Sequence, residues 1–269
     1  MEKRPKRIVV KVGTSTLTHA SGALDLRTME KLVRVIADLT GAGHEIVLVS
    51  SGAIGVGTAR LGLGARPTEL RMKQAAAAVG QCGMMHVYDK LFSEYSRATA
   101  QILLTGDDVA DPERAGHLRS TFSALLELGA VPVVNENDSV SAAEIESGRH
   151  KIFGDNDTLS AVVAALVGAE LLVLFSDIDG LYEADPRKHP EAKLLRQVPA
   201  LTPEILAMAG DAGTWRGTGG MQTKLSAAKT ATEAGCDMVI ANGKRPEALY
   251  DIVEGLEVGT RFLAKEAGA

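Results

Sequence analysis

The sequence predicts an α/β fold, a three-layer sandwich in which helices cover both faces of an open, mainly parallel sheet. Strand-like runs alternate with helical patterns along the chain, and consecutive parallel strands need such helical crossovers. Of the 269 residues, 45% are hydrophobic but only 4% are aromatic. The core must therefore consist mostly of Ala, Val, Leu and Ile, as is typical of helices packed on a parallel sheet.

Six runs have the composition of buried strands. Each is short, rich in β-branched residues and followed by Gly, Asn or Asp, which end strands readily. The runs are Arg7–Gly13, Glu45–Gly52, Ala100–Gly106, Ala130–Asp138, Glu170–Asp177 and Asp237–Gly243.

Helical segments lie between these strands. In Leu26–Gly43 and Pro112–Ala130, apolar residues recur every three or four positions and glycine lies at the end. Ser141–Gly154 and Asp179–Val198 are rich in turn-forming and charged residues and are predicted to be protruding loops or hairpins. Because no repeat or linker interrupts the chain, we expect residues 1–269 to form one domain.

Composition argues against several classes of protein. The 29 Lys and Arg against 34 Asp and Glu give a net charge of −5, so no nucleic-acid partner is expected. Cys82 and Cys236 lack paired spacing and the six histidines are scattered, which predicts neither a disulfide framework nor a zinc site. A signal peptide and an apolar run of about 20 residues are both missing, so we expect a cytoplasmic protein without membrane attachment.

Two lysines lie beside unusual glycine-containing turns. The sequence contains no G-x-x-x-x-G-K-[ST], and Gly52–Gly57 does not fit G-x-G-x-x-G. Lys11 instead lies near the end of the first strand, beside the turn Gly13-Thr14-Ser15, whose amides are suited to an anion. From this turn alone, phosphate binding and a lysine that extends to solvent are both open.

The second lysine, Lys224, occupies the first turn of a predicted helix. The loop Thr218-Gly219-Gly220-Met221 precedes it, and glycines permit close backbone approach to a phosphate. An ordinary loop before an exposed amphipathic helix is the alternative. Two lysines at such turns make a phosphate-binding site the better interpretation.

Polar residues cluster at other strand and helix ends. Asp155, Asn156 and Asp157 precede an apolar helix, where capping requires only one of them. Ser51 follows the second strand, and its turn could bind a small anion or be purely structural. The fourth strand ends in Asn135, Glu136, Asn137 and Asp138, which is typical either of a polar small-molecule site or of an exposed loop.

Taken in order, these motifs resemble those of the glutamate 5-kinases, a family within the amino acid kinase superfamily. The resemblance covers nearly the whole chain, from about Ile8 to Phe262. The motifs are VVKVGTS, VSSGAIGVG, AAVGQ, PVVNENDSV, FGDNDTLSA, DIDGLYEADPR and GTGGMQTKLSAAK.

The resemblance implies an open sheet of about eight strands, with ATP over the C-terminal half and glutamate near the N-terminal half. It also implies that Lys11 and Lys224 contact the ATP phosphates and that Asp157 orients both lysines. The other implied ATP-binding residues are Thr218, Gly219, Gly220, Met221, Gln222 and Thr223, together with Ser176, where the family often has Thr, and Asp177. The implied glutamate-binding residues are Ser51, Asp138 and Asn156, with Asn135 and Asn137 as neighbours.

The implied reaction is transfer of the ATP γ-phosphoryl group to the side-chain carboxylate of L-glutamate, the first step of proline biosynthesis. Mg²⁺ would be held by the ATP phosphates, without a metal site on the protein. The resemblance further implies a homodimer or tetramer, feedback by L-proline and a glutamyl phosphate reductase as partner. The chain departs from the family at its C-terminus: many bacterial members continue into a small PUA domain, and we expect this chain to be a short form without it. The alternatives are a sister kinase acting on N-acetylglutamate or another small acid, and a non-catalytic nucleotide-binding sensor.

Overall fold

The structure, a computed structural model, describes residues 6–141, 155–186, 188–208 and 220–265. Helices and strands alternate along these ranges. The strands are β1 (Arg7–Val12), β2 (Glu45–Ser50), β3 (Thr99–Leu104), β4 (Val131–Glu136), β5 (Leu171–Ser176), β6 (Gln197–Val198), β7 (Asp237–Asn242) and β8 (Thr260–Phe262). The helices are α1 (Thr14–Leu17), α2 (Leu26–Gly41), α3 (Ala53–Arg60), α4 (Leu70–Ser93), α5 (Gly106–Ala110), α6 (Pro112–Glu127), α7 (Asn156–Val167), α8 (Pro203–Met208), α9 (Met221–Glu233) and α10 (Ala248–Glu254).

The strands of the described residues form an eight-stranded sheet in the order β3-β4-β2-β1-β5-β7-β8-β6. Neighbouring strands are parallel except for the antiparallel pair β7 and β8. All six strands predicted from composition are confirmed, and β8 is the last strand implied by the resemblance. The two-residue strand β6 was not predicted, because it is too short to carry a period-two pattern.

Alternation along the central strand β1 gives each face of the sheet its own core. Ile8, Val10 and Val12 pack with residues of α2 and α10 on one face. Val9 packs on the other face with residues of α7 and α9. Because side chains two positions apart share a face, Lys11 lies on the same side as Val9, beneath α7 and α9.

Local sequence sets the ends of the two predicted helices. The Asp25 side chain caps α2 by accepting from the Thr28 N–H at 3.1 Å, and Asp111 caps α6 with Pro112 as its first residue. Both helices end two or three residues before their predicted limits. The reason is that Gly43 and Gly129 adopt positive φ angles of 94° and 71°, which are incompatible with a continuing helix.

The pair α3 and α4 was not predicted from the sequence. Both helices are rich in Gly and Ala and lack a clear apolar stripe. They approach so closely that a Cβ at Gly57 would overlap the Ala76 carbonyl and a Cβ at Gly80 would overlap the Ala53 carbonyl. This close contact fixes the next residue of α4, Gln81, near the ends of the central strands.

One of the two predicted loops is described by the structure. Across residues 179–198, Tyr182 and Leu194 form an antiparallel bridge, so this segment contains a hairpin as well as β6. The other predicted loop, 141–154, lies outside the described residues except for Ser141. In the part of the chain that the structure describes, none of the helices is both long and apolar enough to cross a membrane.

The order of the strands creates a switch point at the centre of the sheet. The chain leaves β1 toward β2 on one side, whereas β5 pairs with β1 on the other side. In open α/β sheets, ligands bind beyond the carboxyl ends of the strands at such a point. A functional site is therefore expected at the edge of the sheet beyond β1, β2, β4 and β5.

Candidate active site

A buried ion-paired group lies at this edge. Asp157 stands in the first turn of α7, with its Oδ1 2.6 Å from Lys11 Nζ and its Oδ2 3.0 Å from Lys224 Nζ. The exposed fractions are 1% for Asp157, 8% for Lys11 and 4% for Lys224. The structure therefore brings the three residues predicted to be catalytic into direct contact.

The charges of this group are strongly coupled. Burial by itself would raise the pKa of Asp157, but the adjacent Lys11 and Lys224 ammonium groups outweigh burial and hold the pKa below its ordinary value of 3.8. The carboxylate is thus ionised at neutral pH. Two cations and one anion leave a net positive charge beneath the first turns of α7 and α9, which suits an anionic ligand.

Asp155 fixes the first turn of α7. One of its carboxylate oxygens accepts from the Asp157 N–H at 2.8 Å and from the Thr158 N–H at 2.9 Å, which is the geometry of an N-cap. The three consecutive polar residues therefore have separate tasks: Asp155 caps the helix, and its neighbours project into the site.

Asn156 belongs to a chain of polar side chains from three elements. Its Nδ2 donates to Ser51 Oγ at 2.7 Å and to Asn135 Oδ1 at 3.0 Å. Asn135 Nδ2 in turn donates to Gln81 Oε1 at 3.1 Å. The structure thus connects Ser51, Asn135 and Asn156, three of the predicted substrate-binding residues, in one network.

Gln81 is the member of this network that the sequence-based list of site residues lacks. It is 8% exposed and lies on α4, whose role in the site could not be foreseen without the fold. A weak signal did exist, because Gln81 ends the AAVGQ motif in an otherwise apolar stretch.

A small pocket opens beside Gln81, at the ends of β3 and β4. It contains the predicted residues Asn137 and Asp138. Its lining residues are Ala53, Ala77, Gln81, Leu103, Glu136, Asn137, Asp138 and Ser139. None of these described lining residues is a lysine or arginine. Two of them, Glu136 and Asp138, carry carboxylates.

The residues predicted to bind nucleotide occupy the neighbouring strand and helix. Ser176 ends β5, and its hydroxyl donates to Asp177 Oδ1 at 3.2 Å. Gly220 precedes α9, Met221 packs partly on the core and Gln222 is exposed. Thr218 and Gly219 lie outside the described residues.

Thr223 has a contact that the sequence did not suggest. Its Oγ1 lies 2.7 Å from the Gly220 carbonyl and 3.2 Å from Asp157 Oδ2. The single hydroxyl proton can be donated to one of these oxygens at a time. Thr223 therefore links the start of α9 to the carboxylate that also binds Lys224.

Imidazole, thiolate and carboxylate side chains of the described residues are the protein groups that could hold a metal ion. No group of three or more His, Cys, Asp or Glu side chains there has a suitable arrangement. Asp155 caps α7, and Asp157 binds the two lysines.

The class of the protein follows from this fold and site together with its sequence relatives. Residues 6–242 match the amino acid kinase family. The chain therefore belongs to this family of enzymes.

Its relatives within that family are more specific. A glutamate 5-kinase of Clostridium perfringens is 54% identical over 264 residues, covering 98% of this chain and 97% of the relative. A glutamate 5-kinase of Clostridium tetani is 51% identical over 262 residues, covering 97% and 96%. Within the amino acid kinases, the chain belongs with the glutamate 5-kinases.

Solved structures share the fold. The carbamate kinase from Giardia lamblia bound to AMP-PNP superposes with a TM-score of 0.69, covering 98% of this chain and all of that chain at 17% sequence identity. At this identity the likeness bears on the fold alone, and it confirms the predicted amino acid kinase architecture.

Proposed function

We propose that the protein transfers the γ-phosphoryl group of ATP to the side-chain carboxylate of L-glutamate, giving L-glutamyl 5-phosphate, the first step of proline biosynthesis. The observation that carries the proposal is the pair of buried lysines bridged by Asp157 at the sheet's switch point. Because the relatives are named glutamate 5-kinases, glutamate is the proposed phosphoryl acceptor. The two buried lysines are groups suited to phosphoryl transfer.

In the reaction, a carboxylate oxygen of glutamate forms a bond to the γ-phosphorus. The bond from that phosphorus to the β–γ bridging oxygen breaks, and ADP leaves with the electron pair. A glutamate side chain with an ordinary pKa of about 4.3 is already ionised at neutral pH, so no general base is required. The main obstacle is repulsion between two anions, which positive charge and in-line positioning overcome.

Lys11 and Lys224 are the residues that supply this charge. Both ammonium groups are buried, where an electrostatic interaction is stronger than in water. Asp157 holds the two ammonium groups at fixed positions by binding one with each oxygen. Because its pKa is lowered, Asp157 remains a carboxylate and serves as an electrostatic anchor, not as a proton donor.

The ATP phosphates would lie against Lys11, Lys224 and the turn before α9. The backbone of residues 218–223 is expected to hold phosphate oxygens, with Ser176 and Asp177 on the nucleotide side. Mg²⁺ is proposed to be held by the ATP phosphates. When bound there, Mg²⁺ would neutralise part of the phosphate charge.

Glutamate is proposed to bind between the Ser51–Asn156 pair and the pocket that contains Asp138. Asn156 is adjacent in sequence to Asp157, which places this network beside the two lysines. Asp138 and Glu136 in the pocket favour a free α-ammonium group over an N-acetylated amine. A phosphorylated acceptor would require cations, and the described pocket residues include none.

The test is an acyl hydroxamate assay with ATP, Mg²⁺ and hydroxylamine. Hydroxamate is expected from L-glutamate and not from N-acetylglutamate. Carbamate and phosphorylated acceptors, whose products are not trapped as acyl hydroxamates, are tested by ADP release, which should not exceed the level without acceptor. Product from N-acetylglutamate alone would favour the sister kinase. ATP binding without product from any acceptor would favour the nucleotide-binding sensor.

The proposal extends to partners and location. We expect a cytoplasmic homodimer or tetramer, inhibition by L-proline at the glutamate pocket and delivery of the labile acyl phosphate to a glutamyl phosphate reductase. Sedimentation and assays with added proline test the first two expectations directly.

A further inference from the structure

We propose that Gln81 recognises the α-carboxylate of the bound amino acid by donating hydrogen bonds from its side-chain Nε2. This inference rests on the proposed function, because it takes glutamate as the acceptor. It assigns a specificity role to a residue on α4 that the kinase chemistry itself does not require.

The orientation of the Gln81 amide follows from counting donors along the network. Asn156 Nδ2 has two protons, which it donates to Ser51 Oγ and Asn135 Oδ1. Since Asn135 Oδ1 is an acceptor, Asn135 Nδ2 must be the atom that faces Gln81, and it donates to Gln81 Oε1. An amide that accepts through Oε1 presents Nε2 on its other side.

The Gln81 Nε2 group is available for a ligand. Among the described residues, no acceptor lies within hydrogen-bonding distance of it, whereas the rest of the Gln81 side chain is largely buried. Gln81 also lines the pocket together with Glu136 and Asp138. Gln81 Nε2 is not fully enclosed, so a ligand that carries an anionic oxygen can accept from this donor in the pocket.

The orientation of the bound glutamate determines whether Gln81 can reach its side-chain carboxylate or its α-carboxylate. The reacting side-chain carboxylate must lie near Lys11 and Lys224, where the phosphoryl group is transferred. Asn156 adjoins this end, whereas Gln81 lies two hydrogen bonds farther along the network. The α-carbon end of glutamate is therefore directed toward the pocket, with its ammonium group near Asp138 or Glu136 and its α-carboxylate near Gln81.

This arrangement would let the described lining residues, none of which is a lysine or arginine, bind a zwitterion. Two carboxylates, Glu136 and Asp138, line the pocket and attract the ammonium group. A neutral amide donates to the α-carboxylate without neutralising the acidic side chains.

The first test removes the donor. Gln81→Met should raise the KM for glutamate by about tenfold to a hundredfold, as expected for loss of a hydrogen bond to a charged group. The KM for ATP should stay within about twofold of wild type, since ATP contacts other elements. Gln197→Met is the matched control, because Gln197 is exposed on β6 at the far edge of the sheet.

The second test replaces the hydrogen-bond donor of residue 81 by an acceptor. Glu at position 81 retains an acceptor for Asn135 Nδ2 but cannot donate when ionised. Gln81→Glu is assayed near pH 8 with L-glutamate and with its α-amide, L-isoglutamine, which has the same reactive side chain. The amide can donate to the new carboxylate, so the kcat/KM ratio of glutamate to isoglutamine should fall at least about tenfold relative to wild type.

The outcomes separate the two proposals. Wild-type protein that yields no hydroxamate from glutamate overturns the proposed function and this inference with it. Active wild-type protein combined with equal losses on both substrates in Gln81→Glu overturns the inference alone, because a merely structural Gln81 would not change substrate preference. If Gln81→Met does not fold, the ratio measured with Gln81→Glu decides.

Discussion

Lys224 Nζ lies 3.0 Å from Asp157 Oδ2, although the two residues are 67 positions apart in the chain. Their helices, α9 and α7, pack side by side on the same face of the sheet, above the strand that carries Lys11. The contact joins the proposed phosphate-binding helix to the helix that carries Asn156. The proposed phosphate-binding and glutamate-binding regions are thus connected through one carboxylate.

Replacement of Asp157 by Asn should lower kcat by at least about a hundredfold, the usual scale for removing one preorganised electrostatic contact. Asn nearly preserves the shape but cannot hold both ammonium groups by charge. The KM for glutamate should change by less than about threefold. Steady-state hydroxamate formation measures both constants, with Asp251→Asn as a control, because the Asp251 residue is exposed on α10. Unchanged turnover would refute the anchoring role.

The same substitution predicts a pH dependence of stability. The pKa of Asp157 in the folded protein lies below its ordinary value of 3.8. Its stabilising contribution is therefore complete above about pH 3.8 and is lost as the pH falls through the lower, folded-state pKa. Urea unfolding of wild type and Asp157→Asn should give a difference in free energy that is constant near neutrality and shrinks below about pH 4. A difference that grows on acidification would contradict this assignment.

Asp155 offers a test of the helix cap. Asp155→Ala should lower the free energy of unfolding by about 1 kcal/mol, because the Asp157 and Thr158 N–H groups lose their acceptor. Asp155→Asn should cost only a few tenths of that, since Asn caps about as well. Denaturant unfolding of the two variants measures the difference, and equal losses would show that the charge matters and not the cap.

Asp138 is expected to control the choice of amino acid. Asp138→Ala should raise the KM for glutamate at least about tenfold, because the α-ammonium group loses a charged partner. Discrimination against N-acetylglutamate should weaken in the same variant. The ratio of kcat/KM values for the two acceptors measures this effect. A glutamate KM within about twofold of wild type would count against the assignment.

The close contact between α3 and α4 predicts a glycine requirement. Gly80→Ala should destabilise the protein by about 2 kcal/mol or more, because the new Cβ would overlap the Ala53 carbonyl. Gly116→Ala on α6 is the matched control: a Cβ there meets nothing nearer than 3.9 Å, and the change should stabilise the helix by about 0.5–1 kcal/mol. Thermal unfolding of both variants tests the contrast, and similar values would refute the tight helix contact.

The sequence by itself determined the six long strands, the helices α2 and α6 and the three residues of the ion-paired group. These features are local: a β-branched run, an apolar stripe of period 3.6 or a lysine beside a glycine turn is visible within a few residues. Lys11 and Lys224 were candidates because of the glycine turns beside them, and Asp157 because its motif resembles that of the family; neither needs knowledge of spatial neighbours.

Only the tertiary structure decided which polar residues meet. Gln81 joins Asn135 because Gly57 and Gly80 let α3 and α4 approach closely, and no local pattern predicts that contact. Thr223 reaches Asp157 because α9 packs beside α7. The separate tasks of Asp155, Asn156 and Asp157 depend on the direction in which each side chain leaves the first turn of α7, and that direction is fixed by packing on the sheet.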